Sequence, residues 1–141
     1  MAMTALEAGV RAVSKRLPKV ISPKTHAIID YAVAGTFFLM GGLMWGSSKR
    51  AAIASLAYGA AETTVALLTD YPGGVADVIS FETHGKIDAT MSGIVALTPT
   101  LLRFSDRKKT AFFRAQGMGI AVTTGMTDFE TYSTGRRHRA A

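Results

Sequence analysis

Two stretches of this chain carry one polar signature at the mouth of an apolar run. They are Val20-Ile21-Ser22-Pro23-Lys24-Thr25-His26-Ala27-Ile28-Ile29-Asp30 and Val78-Ile79-Ser80-Phe81-Glu82-Thr83-His84-Gly85-Lys86-Ile87-Asp88. Both read V-I-S-x-x-T-H-x-x-I-D, so a His and an Asp stand four positions apart twice. On a helix that spacing puts imidazole and carboxylate on one face, with Cβ atoms about 6 Å apart. Such a set suits three kinds of chemistry. A divalent metal (Fe, Mn or Zn) accepts mixed nitrogen and oxygen ligands. A haem or other tetrapyrrole takes axial imidazoles, here His26 and His84. Protons or ions move along intramembrane His and carboxylate groups. A plainer account is that these residues cap helices and hydrogen-bond between the two copies, with the Thr25 and Thr83 hydroxyls accepting first-turn N–H groups.

The signature belongs to a longer repeat. His84 follows His26 by 58 residues. The same offset places Gly35 on Gly93, Leu39 on Leu97, Leu43 on Leu101, Ser47 on Ser105 and Gly59 on Gly117. It also lays Thr69-Asp70-Tyr71 on Thr127-Asp128-Phe129. A register held without a gap over this length implies a tandem duplication. The chain then divides into an N-terminal segment (1–19), a first two-helix repeat (20–71), a connector with the second repeat (72–129) and a polar, basic tail (130–141).

The elements that position these groups follow from where the charges lie. Of 141 residues, 48% are apolar, an ordinary share, but the charges are swept into the gaps between four apolar runs. A bilayer core takes about 20 apolar residues per helix. The runs predict membrane-spanning helices over 23–45, 51–69, 83–102 and about 111–127. A soluble bundle would show polar residues every third or fourth position, and these runs do not. The expected fold is therefore an all-α, integral membrane four-helix bundle of two tandem hairpins. Ahead of it, 4–17 reads as an interfacial amphipathic helix, with Leu6, Val10, Val13 and Leu17 on one face and Arg11, Lys15 and Arg16 on the other.

In that topology the first and third helices run in one direction and the second and fourth return. His26, Asp30, Asp70, His84, Asp88 and Asp128 then converge at one membrane face, around a pseudo-twofold axis along the membrane normal. A carboxylate at a helix C-terminus meets an unfavourable dipole, so Asp70 and Asp128 call for a cation, a donor or a His. Glu62, near the middle of the second helix, aligns with Ile120 and has no duplicate, which makes it the candidate step of an ion path. Tyr31, Tyr71 and Trp45 read as interfacial belt residues.

The formal net charge of +6 does not imply nucleic acid, because the bases flank the apolar runs, where lipid headgroups lie. Their distribution leans toward cytoplasmic termini in a bacterial inner membrane. The chain has no cysteine, which excludes thiolate sites and disulfides. No signal peptide, nucleotide loop or HExxH motif is evident. The expected partners are the bilayer and other membrane subunits or further copies of the chain. The expected role is that of a non-enzymatic accessory subunit holding a metal or a tetrapyrrole, with a conducting protein or a membrane metalloenzyme as alternatives.

At T-H-x-x-I-D-Y, L-L-T-D-Y-x-x-G, and a second H-x-x-x-D followed by A-L-T-P-T-L-L-R-F, the chain resembles small bacterial four-helix membrane proteins of the SPW-repeat type. The resemblance covers about residues 20–129. Where that family carries Ser-Pro-Trp, this chain has Thr98-Pro99-Thr100 and Met40-Gly41-Gly42. What the resemblance implies is a fold; it implies no mechanism.

Overall fold

The computed structural model describes residue 12 and residues 15–132, so the amphipathic reading of 4–17 and the basic tail fall almost entirely outside the described residues. Four long helices dominate: α1 (Pro23–Met44), α2 (Lys49–Leu68), α3 (Phe81–Leu101) and α4 (Arg107–Met126). Two short strands, β1 (Thr69–Asp70) and β2 (Ile79–Ser80), lie between α2 and α3 and pair in parallel. The architecture is all-α.

Each helix starts where a side chain caps it. Ser22 accepts from the Thr25 N–H at 3.2 Å, and Ser80 from the Thr83 N–H at 3.1 Å. The caps are thus the serines; the Thr25 and Thr83 hydroxyls instead hydrogen-bond the capping hydroxyls themselves. Ser48 caps α2, and Asp106 caps α4 by accepting from the Lys108 and Lys109 N–H groups at 2.8 and 3.1 Å. These caps move the starts of α2, α3 and α4 ahead of the expected ones. An apolar run reports where a helix becomes buried, whereas its first turn is chosen by whatever satisfies the free N–H groups. The Lys109 ammonium and the two N–H groups hold the Asp106 carboxyl at about 2, below its usual range.

A four-residue turn makes α1 with α2 one hairpin, and a five-residue link lays α4 along α3 as the other. A single apolar cluster draws Phe37 and Met44 from α1, Ala51 and Ala52 from α2, Met91 and Val95 from α3, and Phe113 and Ile120 from α4. Phe37, Val95 and Phe113 are fully buried in it. Gly117 sets how closely α4 meets α3, because a Cβ there would lie 2.5 Å from the Ser92 carbonyl oxygen. Gly74 lets the connector fold back on β1, since a Cβ there would overlap the Thr69 carbonyl. At the far end, Arg50 donates to the Leu102 carbonyl at 3.2 Å and ties the hairpins together.

The outward faces are apolar. Ile28, Leu39, Leu43, Ile53, Leu97, Leu101 and Met118 are each more than half exposed. Among the described residues, α1 and α2 are the two helices long and apolar enough to cross a membrane. α3 opens with Glu82, Lys86 and Asp88, and α4 carries Arg107, Lys108, Lys109 and Arg114. Those charges shorten the uninterrupted apolar stretch of the second hairpin, where the apolar runs alone predict two further spans.

Candidate metal centre

The inner faces of α1 and α3 bring His26, Asp30, His84 and Asp88 together, all 3% exposed or less. One ligand atom from each lies within 4.8 Å of all the others. His26 Nε2 is 3.2 Å from His84 Nε2, 3.3 Å from Asp30 Oδ1 and 3.1 Å from Asp88 Oδ2. His84 Nε2 is 3.3 Å from Asp30 Oδ2 and 3.0 Å from Asp88 Oδ2.

The other imidazole nitrogens are held by threonines of the opposite hairpin. His26 Nδ1 is 2.7 Å from Thr127 Oγ1, and His84 Nδ1 is 2.8 Å from Thr69 Oγ1. Each threonine donates its one hydroxyl proton to the carbonyl four residues back, Thr123 at 2.7 Å and Val65 at 2.6 Å. A carbonyl can only accept, so the hydroxyl oxygen must accept from Nδ1–H. Both imidazoles are thereby fixed in one tautomer, and in the neutral ring both Nε2 lone pairs point at each other and at the two carboxylates. That arrangement calls for positive charge among the four groups, supplied by a proton on an imidazole or by a metal ion.

The backbone around the site repeats as the side chains do. Thr69 pairs with Ile79 in the β1–β2 ladder, and Thr127 makes the same parallel bridge with Ile21. Both relations carry the offset of the two histidines, 58 residues. Aromatic rings seal the cluster: Phe81 and Phe129 lie 5.4 and 5.5 Å from the His26 ring, and Tyr71 lies 5.3 Å from the His84 ring.

Of the six residues expected at this face, four form the cluster; Asp70 and Asp128 lie outside it. In extended backbone successive side chains point to opposite sides. Thr69 and Tyr71 turn inward and are buried, so Asp70 between them turns the other way. Asp128 accepts from the Thr131 N–H at 3.0 Å, and its hydrogen bonds with Thr131 hold its carboxyl below the usual range. Tyr71, expected in an interfacial belt, is buried and donates to Asp30 Oδ2 at 2.8 Å. Burial first, and then the Asp30 carboxylate, push its phenol well above the ordinary tyrosine value, so it remains a donor. Tyr31 donates to the Gly73 carbonyl at 2.7 Å.

The recurring triplet Thr-Asp-Tyr/Phe is the sequence signal for Thr69, Thr127 and Tyr71, although its aspartate alone carries charge. Glu62, the expected ion-path residue, is 3% exposed on the inner face of α2. No plane remains between the imidazoles for a tetrapyrrole, since the two nitrogens that would flank it are 3.2 Å apart and share Asp88. No family model, curated protein or solved structure matches this chain.

Proposed function

We propose that the chain is an integral membrane four-helix protein, built by tandem duplication, whose paired His/Asp motifs hold a divalent transition metal at one end of the bundle. The observation that carries this reading is the orientation of the imidazoles. Metal-bound histidines characteristically donate their second N–H to a fixed acceptor, and here both Nδ1–H groups do so. The donor set of two nitrogens and two carboxylates suits Zn, Fe(II) or Mn(II). Metal–ligand bonds of 2.0–2.1 Å at tetrahedral angles place donors about 3.3 Å apart; the imidazole–imidazole and imidazole–carboxylate spacings here run from 3.0 to 3.3 Å, and one atom from each residue lies within 4.8 Å of the others. The membrane half of the reading is supported by the two span-length apolar helices and the exposed apolar outer faces.

The role is structural or accessory rather than catalytic. With all four residues buried beneath aromatic rings, the site offers a substrate no open approach. The test is elemental analysis of detergent-purified protein beside a His26→Ala/His84→Ala double variant, before and after reloading with Zn(II), Fe(II) or Mn(II). Bound metal that the double variant lacks supports the reading. Protein that takes up none of the three metals, and melts at the same temperature with and without them, overturns it.

A further inference from the structure

The two halves of the site are not identical, and three of the differences accompany a bare oxygen. Asp30 Oδ2 receives the Tyr71 hydroxyl. The residue that the repeat aligns with Tyr71 is Phe129, which has nothing to donate, and Asp88 Oδ1 is buried without a hydrogen bond. Glu62 aligns with Ile120, and Glu62 Oε2 is also buried without a hydrogen bond. Thr124 aligns with Ala66, and its Oγ1 is likewise buried and unpartnered. Leaving such acceptors unsatisfied is costly, more so when they are charged.

Glu62 stands seven residues before Thr69, which holds His84. At 1.5 Å per residue it lies about 10 Å further along the bundle than Thr69, on the same inward face. Glu62, Asp30 and Asp88 are each 3% exposed or less. Three carboxylates are therefore buried together, and no Lys or Arg among the described residues is buried with them. One divalent ion between the histidines balances Asp30 and Asp88 and leaves the buried Glu62 Oε2 without a partner.

We propose that the bundle takes a second divalent cation beside the first, bridged by Asp88 and liganded by Glu62, on the half of the site where Phe129 supplies no hydroxyl. Asp88 Oδ2 faces the two imidazoles, while its bare Oδ1 and Glu62 Oε2 are oxygen donors of the kind Mn(II) or Fe(II) accepts. Thr124 lies one helical turn before Thr127 and offers a further neutral oxygen. Carboxylate-bridged metal pairs inside helix bundles are sound coordination chemistry, with ions about 3.5–4 Å apart. The inference rests on the metal-centre reading above and extends it from one ion to two.

The test is Mn(II) binding to chelator-stripped, detergent-solubilised full chain, read by calorimetric stoichiometry and by electron paramagnetic resonance. Two ions per chain with a spin-coupled signal are expected for the wild type. Glu62→Gln should fall to one ion with an uncoupled signal. Phe129→Tyr, which offers Asp88 the hydroxyl that Asp30 already has, should do the same without removing any carboxylate. One ion in the wild type, unchanged in both variants, overturns the second site and leaves the first standing. No ion in the wild type overturns both. If Glu62→Gln does not fold, the wild-type stoichiometry and Phe129→Tyr decide the matter.

Discussion

Thr69 and Thr127 act on the imidazoles as carboxylates or carbonyls often do in metal sites, fixing the tautomer from behind. Thr69→Val or Thr127→Val would strand a buried Nδ1–H. The expected cost is about 1–3 kcal/mol of stability and about 10–100-fold in metal affinity, with Ser in either place retaining most of both. Denaturant unfolding and metal titration check this. Either valine variant should behave like the other, because each threonine serves one histidine through the same geometry. Tyr71→Phe should weaken the site from the Asp30 side by removing the only hydrogen bond that a tyrosine gives the cluster among the described residues. At this scale the sequence showed the four clustered side chains, because His and Asp four apart on a helix must share a face. It hid the threonines, because a neutral hydroxyl beside an aspartate looks like a spectator until the backbone direction is known.

At the scale of the element, the helices differ in what their first turns and glycines do. Asp106 holds the start of α4, and its carboxyl titrates near 2 rather than at the ordinary 3.8. A carboxyl lowered by folding stabilises the fold above its unfolded value and ceases to do so as pH falls through its folded value. The melting temperature of the wild type, relative to Asp106→Asn, should therefore hold above pH 4 and narrow between 4 and 2. The glycines of α4 separate in the same way. Gly117→Ala drives a Cβ to 2.5 Å from the Ser92 backbone oxygen and should cost about 1–3 kcal/mol. Gly119→Ala meets nothing within 4 Å and should be neutral or gain about 0.5–1 kcal/mol. Thermal unfolding of the two variants side by side checks both. The number and order of the helices were legible in the apolar runs. Their starts were not, since Ser48, Ser80 and Asp106 sit outside those runs and act through single hydrogen bonds.

At the scale of the whole molecule, the exposed faces carry residues that water does not favour, and Trp45 with the Lys49 ammonium 3.8 Å above its ring marks the end of α1 opposite the cluster. The expected outcome is flotation with liposomes after an alkaline wash; recovery of the chain in the soluble fraction would leave those faces to a protein partner. That the second hairpin is the more charged one was readable from Arg107, Lys108, Lys109 and Arg114. How its charged first turns join α3 and α4 to the first hairpin depended on the packing.

The paired ladders carry one more consequence. The chain bridges Thr69 to Ile79 through the connector, and Ile21 meets Thr127 at the corresponding place with its N–H 3.0 Å from the Met126 carbonyl. The four helices thus form a ring in which one junction is covalent and its counterpart is held by hydrogen bonds alone. A circular permutant opened in the connector, at 75–77, with residue 132 joined by a flexible linker to residue 15, should fold to the same cluster and bind the same metal.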